Sequence, residues 1–213
     1  MNCYPAVTQD RNLAFIGKRL AALGISLRET RVIADDTHVI VHNVNDTRQR
    51  FDYVFTTGGI GPTHDDITAA AVAKAFGVDL ERNPAAEQAL RDFYDEQINE
   101  ARLKMAKIPA GAELVDNPLS GAPGFQIGNV FVLAGIPSVM QAMFDVLAER
   151  LRHGAPILSR TLTTDRREGE IAAGSDRYPG TLSRSRYRQL SVFYRAEKGR
   201  EYCGTWYRSG KNK

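Results

Sequence analysis

Cysteine occurs only twice among the 213 residues, at Cys3 and Cys203. Two so widely spaced thiols make neither a zinc motif nor a disulfide framework and read as unpaired in a reducing compartment. No apolar run approaches the ~20 residues that span a bilayer. The opening MNCYPAVTQD lacks the basic and apolar regions of a secretory leader, so a cytoplasmic protein with no membrane partner is expected. The glycine-rich stretch near the middle ends in no Gly-Lys-Ser/Thr and lacks the G-x-G-x-x-G spacing, which excludes a Walker loop and a dinucleotide fingerprint. No RNA-binding module signature is present.

What remains is ordinary globular composition, 43% hydrophobic, enough for one sizeable α/β domain with an appendage. The net charge of +3 is unevenly spread: residues 1–159 carry 15 Lys/Arg against 19 Asp/Glu, and residues 160–213 carry 13 against 6. The basic end reads as a solvated appendage over residues 174–213. Its interleaved Arg and Tyr suit single-stranded nucleic acid in principle, but nucleic acid is not the partner expected.

The stretch that organises the chain is FDYVFTTGGIGPTHDDIT, Phe51–Thr68. Its aromatic and β-branched opening suits a buried strand. Gly58, Gly59 and Gly61 let a ligand approach the main chain, and Pro62 stiffens the exit. Thr63 and Asp66 stand at capping-box spacing, predicting a helix whose free N–H groups face the loop. Strand, glycine turn and helix start together make an anion site. A tight connection with Asp66 as a simple cap is the competing reading. The adjacent carboxylates Asp65 and Asp66 would repel a phosphate unless Mg²⁺ bridged them, which points to a metal-nucleotide; Asp65 also reads as a solvated loop charge.

Around this loop the spacing predicts a helix over Asn12–Leu23, an alternating strand over Ile25–Ala34 and a helix over Thr37–Arg50. The strand would deliver Asp35 and Asp36 to the rim where ligands bind in open α/β sheets, with Asp36 also able to cap the helix. A long helix starts at Asn83-Pro84 and carries one apolar face to Met105; with the Pro- and Gly-rich stretch that follows, residues 83–128 read as an inserted subdomain. Lys104 and Lys107 read as a solvated helix end or as cations at the phosphate rim. Phe125–Leu133 reads as a hairpin leading into Ala134, Gly135, Ile136 and Pro137, a second strand–glycine–helix cradle. A helix ending at Gly154 and a strand over Pro156–Thr164 follow. The fold class is α/β, a three-layer sandwich with a mostly parallel sheet flanked by helices, plus a small inserted helix/hairpin subdomain.

TTGGIGPTHDDIT resembles the signature of the molybdopterin-binding domain family with the MoaB/Mog fold. Thr8–Asn12, Asn99–Pro118, Gly121–Phe125 and Val130–Met143 resemble its competence/damage-inducible protein A branch, the similarity running from Ala6 to Ala173. The resemblance implies that Thr57, Gly58, Gly59, Gly61, Pro62, Thr63, Gly135 and Pro137 bind molybdopterin or a nucleotide, with loop N–H groups on the phosphate. By motif match it gives Asp35 and Asp66 the chemistry, and Asp65 and Asp66 the Mg²⁺ that accompanies ATP in members that adenylylate molybdopterin. An ADP-ribose or dinucleotide pyrophosphohydrolase, in which His64 would orient the attacking water, and a non-catalytic binding module are the alternatives. Relatives form dimers or trimers. They also open with a strand and an acidic loop ahead of the segment matching Thr8, where this sequence has only Met1–Pro5; an exposed sheet edge is the expected consequence.

Overall fold

The computed structural model describes residues 10–154 together with the backbone of three later strands, 158–164, 185–188 and 202–208. It divides into two compact units, one containing Glu29–Arg152 and the other containing Gly17–Arg28 and the chain from His153 onward.

The first unit is built on a four-stranded sheet of order β1-β6-β5-β4, from β1 (Val54–Thr57), β4 (Glu113–Val115), β5 (Gly124–Ile127) and β6 (Val130–Leu133). Alternation along β6 sends side chains to opposite faces. On one face Val130 and Val132 join Ile40 and Val44 of α2 (Thr37–Arg50) and Ala71, Val72 and Ala75 of α3 (Thr68–Phe76). On the other, Phe55 stacks on Phe131 at 5.3 Å and meets Phe144 at 5.4 Å. Phe144 belongs to α6 (Pro137–Ala148), and Phe15 of α1 (Arg11–Ala22) packs edge-on against it. These three layers are the expected α/β sandwich. The sheet is mixed rather than mostly parallel among the described residues: β1–β6 is parallel, while β5–β6 and β4–β5 are antiparallel. The cause is local, because the Gly128-Asn129 turn joins β5 directly to β6 and a two-residue connection permits only an antiparallel pair.

Ile25–Ala34 is not a strand. A strand needs a ladder partner for its N–H and C=O groups, and β1, the edge of the described sheet, pairs only with β6. Glu29 and Arg31 are held instead by ion pairs to Arg50 and Asp46 of α2 at 2.9 and 2.5 Å, and Val32 is left 92% exposed. The long helix expected from Asn83 is broken as well. It runs as α4 (Pro84–Tyr94), a 3₁₀ turn at Asp95–Gln97, α5 (Glu100–Leu103) and a second 3₁₀ turn. Asp95 sits at φ 45°, which ends α4, and Asn99 starts a new helix by accepting from Arg102 N–H at 2.9 Å, so the helix breaks where apolar spacing alone would continue it. This helical excursion is rooted on the ribbon β2 (Leu80–Arg82) and β3 (Lys107–Pro109). β4 and β5, which also fall within residues 83–128, are strands of the main sheet.

In the second unit, Gly154 N–H donates to Leu23 O at 2.9 Å. A three-stranded antiparallel sheet of order β7-β9-β8 follows, from β7 (Leu158–Thr164), β8 (Ser185–Arg188) and β9 (Tyr202–Arg208). The strand read over Pro156–Thr164 is β7, whereas residues 174–213, read without periodicity, contain β8 and β9. The rest of that appendage lies outside the described residues.

Candidate functional site

β1 and β6 run parallel, so the loops that follow them leave the sheet at the same rim. Gly58 N–H donates to Leu133 O at 2.9 Å and carries the ladder one residue past β1. The chain then turns through left-handed angles, φ 97° at Gly58 and 70° at Gly59. Glycine is required at Gly59, and a side chain would be crowded at Gly135. A Cβ on Gly59 would lie 2.0 Å from Thr68 Oγ1, and one on Gly135 would lie 3.1 Å from Gly58 Cα, so the two loops touch backbone to backbone. Asn12 locks the second loop from the side, its Nδ2 donating to Gly135 O at 2.8 Å. The paired cradles anticipated from Gly58–Thr63 and Gly135–Pro137 are thus adjacent.

Thr63 and Asp66 do not open the helix. α3 begins at Thr68 with Ile67 at its cap and no side-chain cap bond. Asp66 instead turns back on the loop: its Oδ2 accepts from Thr63 N–H at 2.9 Å and from Thr63 Oγ1 at 2.6 Å, and the Gly61 N–H faces the carboxylate. A Cβ on Gly61 would stand 2.6 Å from that oxygen, which explains the glycine. Burial works to raise the Asp66 pKa, and the Asp65 charge adds to it. The Thr63 hydroxyl and the two N–H groups outweigh both and hold it below the usual carboxylate range. Asp65 is also held low, chiefly by the Thr63 side chain, but its side chain is 74% exposed beside a fully exposed His64. The Gly58 N–H is therefore spent on the ladder, and the Gly61 N–H is turned toward Asp66. Of the three glycines, Gly59 keeps a free N–H among the described residues.

Helix starts gather at this rim. α3 and α6 begin directly after the two loops, and Pro137 stands at the first position of α6, again without a side-chain cap. α2 runs into β1 through three residues, which puts its start at the same end of the sheet. There Asp36 accepts from His38 and Val39 N–H at 2.8 and 3.0 Å. Asp35, one residue earlier, is exposed. Two uncapped helix N-termini concentrate positive potential where Thr57 and the glycines open to solvent.

Beside the loop lies a cleft of about 250 Å³ between the glycine turn and the β2–β3 ribbon. The Lys104 ammonium crosses it to donate to Thr63 O and, at 3.5 Å, to Asp66 O, so Lys104 is a tie on the loop rather than a solvated helix end. A place at the phosphate rim was one of the two readings of Lys104, but its loop partners, and any role for Asn12, were not foreseen, since neither partner is near in the chain. The single available signal was that both lie in segments resembling the family, Thr8–Asn12 and Asn99–Pro118.

A family model described as "probable molybdopterin binding domain" matches residues 2–153. A CinA protein of Thermoplasma acidophilum has a similar crystal structure: TM-score 0.63, 34% identity, 67% of this chain and 88% of that one. A protein of Aeropyrum pernix is 39% identical over 145 residues, 65% of this chain and 54% of that protein. A CinA-like protein of Desulfosudis oleivorans is 35% identical over 167 residues, 72% and 40% of the two. The chain thus spans about half the length of such relatives. On the strength of the glycine cradle and a match over most of its length, the chain belongs to the molybdopterin-binding domain family, with CinA proteins among its relatives.

Proposed function

We propose that this protein binds a phosphorylated small molecule, molybdopterin or a nucleotide, with its phosphate over Gly59 at the joint rim of the two glycine loops, in molybdenum cofactor biosynthesis. The observation that carries this reading is the backbone contact of Gly58 with Gly135, which brings two uncapped helix N-termini to one opening.

Mg²⁺ is compatible with the acids present. The described residues contain no group of three or more metal-ligating side chains, but Mg²⁺ commonly uses one or two carboxylates and completes its shell with water and substrate phosphate. Both hydrogen bonds to Asp66 fall on Oδ2, and a carboxylate has about four acceptor positions, so capacity is left toward a cation; the Asp65 side chain is 74% exposed. A bound Mg²⁺ would neutralise charge on the phosphates. In adenylyl transfer from ATP the chain's own part is to position reactants and exclude water, with Asp66 keeping the loop in shape and Asp35 at the start of α2. Oligomerisation to a dimer or trimer is part of this reading, and light scattering of the purified chain tests it.

The deciding experiment is product analysis by mass spectrometry with Mg²⁺ and either ATP plus molybdopterin or ADP-ribose alone, after circular dichroism has established folding. Adenylylated molybdopterin is the expected product. AMP and ribose phosphate from ADP-ribose would replace it with the pyrophosphohydrolase reading. Ligand binding with no product would make the protein a binding module.

A further inference from the structure

The three-stranded sheet of the second unit concentrates one sign of charge. β7, β8 and β9 together contain Arg160, Arg186, Arg188 and Arg208 and no acidic residue. Along the sequence their arginines and aromatics show no period, and it is strand pairing that sorts them. β9 is central, with β7 and β8 antiparallel on either side. Residues directly opposite in such a ladder share a face, and so do residues two apart along one strand.

Trp206 stands opposite both Arg160 of β7 and Tyr187 of β8. One face therefore holds a row Arg160–Trp206–Tyr187 across all three strands, with Arg208 two places along β9. Strands lie about 4.8 Å apart and rise about 3.4 Å per residue, so the row spans roughly 10 Å and Arg208 lies roughly 7 Å from it, the scale of a few nucleotides. Leu158 and Leu162 fall on the same face and give the row an apolar flank. The opposite face holds Tyr207 across from Arg186, and Arg188 across from Thr205.

Charge selects a polyanion, since residues 160–213 carry 13 Lys/Arg against 6 Asp/Glu. Aromatics within an arginine-bearing row narrow the class. Single-stranded nucleic acid offers both phosphates for arginine and base faces for Trp and Tyr, and RNA-binding sheets stack two or three bases on aromatics in this way. Membrane surfaces are engaged by helices with one apolar side, and the described residues beyond Gly154 form strands.

We infer that this face of the β7-β9-β8 sheet binds single-stranded nucleic acid, with Trp206 and Tyr187 stacking on bases and Arg160 and Arg208 pairing with phosphates. The sequence by itself pointed away from such a partner, because it does not place Arg, Trp and Tyr in one row.

Trp206 is the only tryptophan of the chain, so intrinsic fluorescence reports on this face directly. Short oligo(dT) and oligo(U) added to the full chain should quench it, the matching duplex should do so much less, and the tighter of the two single strands tells DNA from RNA. In anisotropy titrations with the labelled strand, Tyr187→Ala should weaken binding about tenfold. Arg160→Gln should lower the slope of log affinity against log salt by about 0.7, one phosphate contact on a single strand. Arg186→Gln, on the opposite face, should leave that slope unchanged, and circular dichroism checks the fold of each variant. Duplex bound as tightly as single strand, or equal weakening by Arg186→Gln and Arg160→Gln, would overturn the stacking face and leave only the general charge of the basic end. Trp206 emission that ignores every oligonucleotide and shifts with phosphatidylserine vesicles would overturn it in favour of a membrane surface.

Discussion

At the scale of single residues, the site depends on positions where a side chain is geometrically excluded. Gly59 and Gly77 both have positive φ, 70° and 68°, but a Cβ on Gly77 meets nothing within 4 Å and one on Gly59 meets Thr68 at 2.0 Å. Gly77→Ala should therefore cost only the left-handed penalty of about 1–2 kcal/mol. Gly59→Ala should cost distinctly more and abolish phosphate binding. Paired urea denaturation curves measure the difference, and equal losses would contradict the close packing of the loop on α3. Asp66 offers a second test. Its folded pKa is depressed, so its contribution to loop stability is present above the ordinary carboxylate range near 4 and is lost as pH falls through the lower folded value. In Asp66→Asn that acid-dependent step should disappear from NMR signals of Thr63, and metal-dependent turnover with it.

At the scale of elements, caps and core faces contribute unequally. Asn83 caps α4 by accepting from Ala86 N–H at 3.0 Å, and Asn83→Ala should destabilise by about 1 kcal/mol. Phe144 lies at the junction of α1, α6 and the sheet with no exposure, so Phe144→Ala should cost about 3–5 kcal/mol. Thermal melts of the two variants distinguish them readily. The helical excursion between β2 and β3 acts on the site through one side chain, because the second 3₁₀ turn carries Lys104 to the loop. Lys104→Met should weaken phosphate binding severalfold with little loss of stability, and Lys104→Arg should recover part of it; loss of stability without loss of binding would make Lys104 merely structural.

Across the whole molecule, the depressed carboxylates share one sign. Glu29 is held low chiefly by its Arg31 hydrogen bond, Asp46 likewise by Arg31, and Asp36 by the Val39 N–H. All are exposed enough to be screened by salt. The chain should be maximally stable above about pH 5 and lose stability as acid protonates these groups, and 0.5 M NaCl should flatten that dependence in urea midpoints taken from pH 3 to 7. Stability that rises on acidification would contradict the ion pairs joining Glu29 and Arg31 to α2.

Much of this was written locally. The glycine loop, the second cradle at Gly135 and the Asn83-Pro84 helix start are encoded within a few residues, because turn angles, caps and apolar spacing are short-range properties. The family followed from a contiguous motif for the same reason. What only the tertiary structure decided depends on partners distant in the chain. Ile25–Ala34 has the alternation of a strand and is none, because a strand exists only with a neighbour to bond. Thr63 and Asp66 have the spacing of a helix cap and instead staple a loop, because Gly61 leaves room for the carboxylate to turn inward. Lys104 and Asn12 join the site across 41 and 123 residues of sequence, a separation at which no pattern in the chain foretells a hydrogen bond.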